Sequence, residues 1–328
     1  YSGYWQGANN TNPWWHNMVA LLTEVASSRL ASSIEQRQAT ASVSGSSTSA
    51  VLDSRRAQQT ILAAPSDTQY RMNYPRPWNG GTWTFADVVE YITISTQGLL
   101  ESVANNRITL KRNFYAMNSR TVERFTTGDP FAFLILRDQH DPAAVTKLVQ
   151  LLQAEAAEVH IAKTAFIADG RTYPSGTYVV RLDQSFGRWI KDILEPQVYP
   201  DIRWPDPAGA IDKPYDITAW SLGMLMGVET IQIKNPFDAS LTLLDEEATQ
   251  SPGSVIGNGD TYLLSHRSNQ SFVALNRLLA QGATVSWARD SFELDGQVHP
   301  IGVMLVENIE RHIVDQIAAD LHLDLVAT

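Results

Sequence analysis

Cysteine is absent from the 328 residues of the sequence. Its absence excludes disulfides, thiolate zinc sites and thiol nucleophiles, but it leaves the compartment open because oxidising and reducing environments both tolerate cysteine-free chains. Clusters of Lys and Arg are missing as well, and 35 acidic residues outnumber 25 basic ones. The net charge of -10 argues against a nucleic-acid surface, because phosphate binding needs clustered cations.

Long apolar runs are also missing. A membrane helix needs about 20 consecutive apolar residues, whereas a run such as residues 132–136 has only the length of a strand. We therefore expect no membrane-spanning helix.

The sequence contains none of the compact motifs that would identify a catalytic site by themselves. H-x-x-E, H-E-x-x-H, G-x-S-x-G and the glycine-rich nucleotide-binding patterns do not occur. His312 and Asp315 lie three residues apart, but zinc requires at least three protein ligands, so this pair predicts a surface contact. His16, between Trp15 and Asn17, is interpreted as a hydrogen-bonded structural histidine.

The length of the chain predicts two domains, because 328 residues exceed what one core usually organises. Residues 126–130 read Thr-Thr-Gly-Asp-Pro, and these turn-forming residues predict the boundary. One domain is therefore expected at residues 1–126 and a second at 130–328.

Two helices are predicted before that boundary. Thr84 and Asp87 have the spacing of an N-cap and an acid three residues on, so a helix should begin just after Thr84. Apolar residues recur at helical spacing up to about Asn106, and a second helix is predicted at residues 108–125.

A short apolar run near the start of the chain ends in a carboxylate. Residues 18–24 read Met-Val-Ala-Leu-Leu-Thr-Glu. Such a run predicts a buried strand whose last residue faces a cleft. Glu24 is therefore the first candidate functional residue.

The second domain matches itself without a gap at a shift of 126 positions, between residues 152–180 and 278–306. Each copy reads helix, strand, Asp-Gly, strand. A preceding strand also matches loosely, with residues 133–136 aligned to 262–265. We interpret the Asp-Gly pairs as turns without a chemical role.

This internal match predicts an α/β domain built from a tandem repeat, at about residues 131–194 and 260–320. Strands alternate with helices in both copies. Because parallel neighbours need crossover connections, the alternation predicts a mainly parallel sheet covered on both faces.

The residues around Glu24 resemble a known family. The sequence reads Gly-Tyr-Trp-Gln-Gly at 3–7 and Trp-His-Asn-Met-Val-Ala-Leu-Leu-Thr-Glu-Val-Ala-Ser at 15–27. This block resembles the late part of bacterial zinc carboxypeptidase domains. Residues 74–91 resemble that domain's closing segment and C-terminal helix in large multidomain members, and residues 215–228 resemble the glutamine-amidotransferase-like α/β domain that follows it.

The resemblance implies an exopeptidase that uses zinc to hydrolyse the C-terminal peptide bonds of peptide substrates. Glu24 matches the family's general base, and Tyr4 or Tyr1 would correspond to the tyrosine that closes over substrate. The zinc ligands of the family precede these residues and do not occur in this chain. We therefore expect an internal piece of an extracellular or periplasmic protein, inactive by itself.

Two further expectations follow from the same residues. An amidotransferase needs a cysteine nucleophile, so that activity is excluded for the second domain. The alternative to a peptidase is a non-catalytic, extracellular peptide- or carbohydrate-binding protein in which the peptidase domain is degenerate. The aromatic residues of the chain suit that alternative.

Overall fold

The computed structural model describes residues 11–25, 33–36, 69–72, 74–198, 201, 203–204, 209–211, 221–294 and 296–328. They divide into two compact units. One consists of the described part of Leu21–Arg112, and the other of the described part of Tyr1–Ala20 together with Asn113–Thr328.

Short elements and one long helix come first in the chain. They are α1 (Asn12–Trp15), β1 (Ile34–Gln36), β2 (Gly81–Trp83) and α2 (Phe85–Thr126). Strands β1 and β2 form an antiparallel pair in which Glu35 lies opposite Thr82.

The start of α2 has the predicted capping box. The Thr84 hydroxyl and backbone N–H both donate to Asp87 Oδ2, at 2.6 and 2.8 Å, and the Asp87 N–H donates back to Thr84 Oγ1. These hydrogen bonds lower the pKa of Asp87, the side chain of Thr84 contributing most. The helix start is thus set by local hydrogen bonding.

The prediction of two helices is wrong, because α2 runs unbroken for 42 residues. No Gly or Pro lies near the expected break at Asn106. The side chain of Asn106 instead donates to the carbonyl of Ser102 one turn earlier, at 2.8 Å, and remains on the helix surface.

The buried strand predicted at residues 18–24 is also wrong. The segment has no regular secondary structure, and Val19 and Leu21 are each 62% exposed. A strand requires a neighbour that takes its backbone hydrogen bonds, and no described strand pairs with this segment.

The region of the first sequence repeat forms seven elements. They are β3 (Ala132–Ile135), α3 (Pro142–Ala154), β4 (His160–Ala162), β5 (Phe166–Ala168), β6 (Arg171–Tyr173), β7 (Tyr178–Arg181) and α4 (Gly187–Leu194). The connecting region contributes β8 (Arg203–Trp204), β9 (Ala210–Ile211), α5 (Leu222–Met226), β10 (Ile231–Ile233), β11 (Leu241–Leu243) and β12 (Val255–Ile256).

The region of the second repeat has the same order of elements, followed by a final strand. They are β13 (Tyr262–Leu264), α6 (Asn269–Ala280), β14 (Thr284–Trp287), β15 (Phe292–Leu294), β16 (Gln297–His299), β17 (Met304–Glu307), α7 (Arg311–Leu321) and β18 (Leu325–Ala327).

The strand register reproduces the repeat residue by residue. Phe133 lies opposite Val180 in the first copy, and Tyr262 lies opposite Val306 in the second. The hairpins β5–β6 and β15–β16 likewise pair Phe166 with Tyr173 and Phe292 with His299. The sequence match therefore corresponds to one structural unit that occurs twice.

The expected mainly parallel sheet is corrected by the strand order. The two five-stranded sheets are ordered β10-β3-β7-β4-β11 and β12-β18-β13-β17-β14. The crossover from β3 through α3 to β4 exists, but β7 lies between these strands and runs antiparallel to both. Among the described strands, only β12 and β18 pair in parallel. The fold is mixed α/β with mostly antiparallel sheets.

The first sheet is buried on both faces. Phe133, Ile135 and Val180 pack with helices α3 and α4, whereas Leu134 and Val179 lie in a second apolar cluster. The second sheet packs residues such as Tyr262, Leu264 and Val306 against α6 and α7. Among the described helices, none has both the length and the apolar character that crossing a bilayer requires.

Candidate functional site

Glu24 lies in the irregular segment that follows α1, and its side chain is exposed. Its carboxylate makes no hydrogen bond or ion pair with the described part of the chain. Tyr1 and Tyr4, the candidates for substrate closure, lie outside the described residues. The structure therefore presents Glu24 as an accessible carboxylate, and the two tyrosine predictions stay predictions.

His16 is a structural residue, as predicted. It is 4% exposed, and its Nδ1 and Nε2 lie 2.9 and 3.2 Å from the carbonyl oxygens of Asn12 and Glu155. The ring also contacts Phe186 and Trp189, with centroid distances of 4.7 and 5.2 Å. His16 thereby attaches α1 to the end of α3 and to α4.

The described residues do not form a zinc site. Among them, no group of three or more His, Asp or Glu side chains could hold a metal ion. His312 pairs with Glu310 at 3.1 Å, and the predicted partner Asp315 instead binds Arg311. The donor set that zinc requires therefore does not exist in this part of the chain.

An aromatic groove lies within the unit formed from Leu21–Arg112. We define it by Tyr74, Trp78, Trp83 and Tyr91, with Arg76 and Glu90 as its charged members. The groove has a volume of about 770 Å³. The sequence did not predict a groove at residues 74–91, which only resemble the closing segment of a carboxypeptidase domain, although two tryptophans five positions apart were a signal.

The rings of the aromatic groove are fixed by contacts with one another. The Trp78 and Trp83 rings meet edge to face at 5.4 Å, and Trp83 meets Tyr91 at 5.3 Å. The Tyr74 hydroxyl accepts from the Trp78 backbone N–H at 2.7 Å. Both indole Nε1–H groups are buried and have no hydrogen-bond partner among the described residues, which favours an occupant that supplies acceptors.

Asp141 connects the two repeats. The carboxylate is the N-cap of α3, accepting from the backbone N–H groups of Ala143 and Ala144. It also accepts from the Ser268 hydroxyl at 2.9 Å and from the backbone and side-chain N–H groups of Asn269. One carboxylate thus serves the N-termini of two helices, one from each repeat.

Two other carboxylates have perturbed pKa values. Burial raises the pKa of Asp192 on α4 to about 6, partly opposed by a hydrogen bond from Gln197. Hydrogen bonds lower the pKa of Asp169. The backbone N–H of Lys234 contributes most, and the side chain of Asn235 also donates to the carboxylate.

The Asp-Gly pairs behave as turns where they are described. Asp169 and Gly170 both have positive φ, 43° and 76°, at the tip of the β5–β6 hairpin. Gly296 has a φ of 76° at the equivalent place, and Asp295 lies outside the described residues.

Comparison with protein-family models, with curated proteins and with solved structures finds no match to this chain.

Proposed function

We propose that this chain belongs to a zinc-carboxypeptidase-type protein that hydrolyses C-terminal peptide bonds, with Glu24 as its general base. The observation that carries the proposal is the accessible carboxylate of Glu24 inside the sequence block 15–27 that resembles this family. An accessible carboxylate accepts a proton from an attacking water and returns it to the departing amine.

In this proposal the zinc ligands are not among the residues of this chain. The described residues do not fit the ion, since they hold no group of three ligands, so no step of the reaction is assigned to it here. This chain would contribute the general base Glu24 and the tyrosine that closes over substrate, Tyr4 or Tyr1.

The proposal is tested in the intact protein that contains this chain. Replacing the carboxylate by its neutral isostere in Glu24→Gln removes the general base, and turnover of a peptide substrate should fall by about 10²- to 10⁴-fold. Bound zinc, measured by elemental analysis, should not change, because Glu24 is not proposed as a ligand.

Glu101→Gln is the matched control, since Glu101 is an exposed carboxylate on α2. It should leave turnover unchanged. Near-normal turnover of Glu24→Gln would contradict the proposed role, and an intact protein without bound zinc would contradict the proposed class of enzyme.

A second candidate function is peptide binding in the aromatic groove. The rings offer an apolar surface, and the two indole N–H groups lack acceptors. An extended, proline-rich peptide supplies both matching features, because its rings stack on aromatic side chains and its carbonyls accept hydrogen bonds. Arg76 and Glu90 would contact polar groups of the same peptide.

Fluorescence titration with a synthetic proline-rich decapeptide tests this function, with cellohexaose as the comparison ligand. Trp83→Phe removes one indole N–H and keeps an aromatic ring, and it should weaken peptide binding by about 3- to 10-fold. Trp287→Phe, at a half-exposed tryptophan in β14, should have no effect. Binding of cellohexaose alone would instead assign the groove to carbohydrate.

A further inference from the structure

A cleft separates the two repeats at the ends of their first strands. It has a volume of about 250 Å³ and is lined by the turns that follow β3 and β13 and by the residues after α7. Its polar lining includes Asp138, His140, Arg267, Ser271, His322 and Asp324. All these residues belong to the same compact unit.

Opposite charges stand at equivalent positions of the two repeats. The register that matches Phe133 to Tyr262 also matches Asp138 to Arg267, five residues further on. Both side chains are exposed, and neither forms an ion pair within the described residues. The cleft therefore carries an anion from one repeat and a cation from the other.

Ser271 is the buried polar group of the cleft. It lies in the first turn of the 12-residue helix α6 and is 1% exposed, and its hydroxyl has no hydrogen-bond partner among the described residues. The neighbouring Ser268 hydroxyl is already used, since it donates to Asp141 and accepts from the Gln270 N–H. Ser271 thus retains an unsatisfied hydroxyl in the first turn of a helix whose first backbone N–H already binds the Asp141 carboxylate.

The other polar groups of the cleft are partly engaged. Asp324 accepts from the backbone N–H and the hydroxyl of Ser254, both at 3.0 Å. His322 Nδ1 lies 2.9 Å from the carbonyl of Ser251, so only its Nε2 remains available. The charged Asp and Arg residues that line the cleft are therefore two carboxylates, Asp138 and Asp324, and one guanidinium, Arg267.

We propose that this cleft binds a free α-amino acid. The α-carboxylate is bound by the Arg267 guanidinium and the Ser271 hydroxyl, and the α-ammonium group by Asp138 with Asp324. A ligand with both charges matches the cleft better than an anion, because two carboxylates would repel a second negative charge. The volume lies below the roughly 300 Å³ of drug-sized sites.

Calorimetric titration of the chain with four ligands tests the proposal. L-leucine should bind, whereas N-acetyl-L-leucine lacks the ammonium group, L-leucinamide lacks the carboxylate, and each should bind at least about 10-fold more weakly. Inorganic phosphate should not bind. Absence of leucine binding, equal binding of the three leucine compounds, or binding of phosphate alone would overturn the proposal.

Variants locate the binding site. Arg267→Gln should weaken leucine binding by about 10-fold or more, and Ser271→Ala by about 3- to 10-fold. Arg289→Gln and Asp290→Asn are controls at exposed positions of the second repeat and should bind leucine normally. Normal binding by Arg267→Gln would place the ligand elsewhere. The experiment measures leucine binding directly, so its outcome does not depend on the proposed peptidase activity.

Discussion

The pKa of Asp192 is strongly shifted by the surroundings of its side chain. Its side chain lies beside Lys191 and Glu195, which form an ion pair on α4. Together with Trp15, Arg124 and other residues it lines a small pocket of about 270 Å³. Burial disfavours the ionised carboxylate and raises the pKa from the ordinary 3.8 to about 6.

We predict that Asp192→Asn stabilises the protein above pH 6 but not near pH 4. Because the folded-state pKa is the higher one, the native chain binds more protons between about pH 4 and 6, and this contribution to stability is lost as the pH rises. The neutral amide removes that loss. Urea unfolding at pH 5 and pH 8 should show the larger gain at pH 8, whereas Asp290→Asn should show no pH-dependent gain. An equal gain at both pH values would contradict the raised pKa.

Helix α2 shows how local signals act at the scale of an element. Its start follows from the Thr84–Asp87 capping box, and Thr126 precedes the turn-forming Gly128 and Pro130. Gly98 lies within the helix, exposed to solvent, and lowers its intrinsic stability.

We predict that Gly98→Ala stabilises the protein by about 0.5 to 1 kcal/mol. An added Cβ would meet no atom within 4 Å, so the gain in helix propensity has no steric opposition. Gly187→Ala, in α4, is the contrasting control, because its Cβ would lie 1.9 Å from the Leu182 carbonyl oxygen. Thermal and urea unfolding should move in opposite directions for the two variants. Destabilisation by Gly98→Ala would show that this part of the helix is not regular.

At the scale of the whole molecule, the two repeats are joined by a buried polar contact. Asp141 is 7% exposed and accepts five hydrogen bonds, of which three come from Ser268 and Asn269. A buried carboxylate is stable only when such donors surround it. We therefore expect the contact to couple the stability of one repeat to that of the other.

We predict that Asp141→Ala destabilises the protein by about 2 kcal/mol or more, since it removes a helix cap and charge-assisted hydrogen bonds. A double-mutant cycle with Ser268→Ala should give a coupling free energy of about 1 kcal/mol, as expected for residues in contact. The cycle of Asp290→Ala with Ser268→Ala should be additive. Additive effects in the first cycle would show that the repeats are energetically independent.

The sequence was sufficient where a structure depends on neighbouring residues. The capping box at Thr84 and the turn at Asp169 and Gly170 were predictable, because each involves hydrogen bonds within a few positions. The repeat was predictable because the two copies match each other in sequence. Residues 18–24 show the limit, because an apolar run becomes a strand only if another strand pairs with it.

Only the tertiary structure decided which distant residues meet. The alternation of strands and helices determined the crossover from β3 to β4, but not that β7 would occupy the position between them. The contact of Asp141 with Ser268 joins residues 127 positions apart, and the cleft beside it takes one charge from each repeat. Such pairings depend on burying two apolar faces together, and local patterns carry no information about the partner.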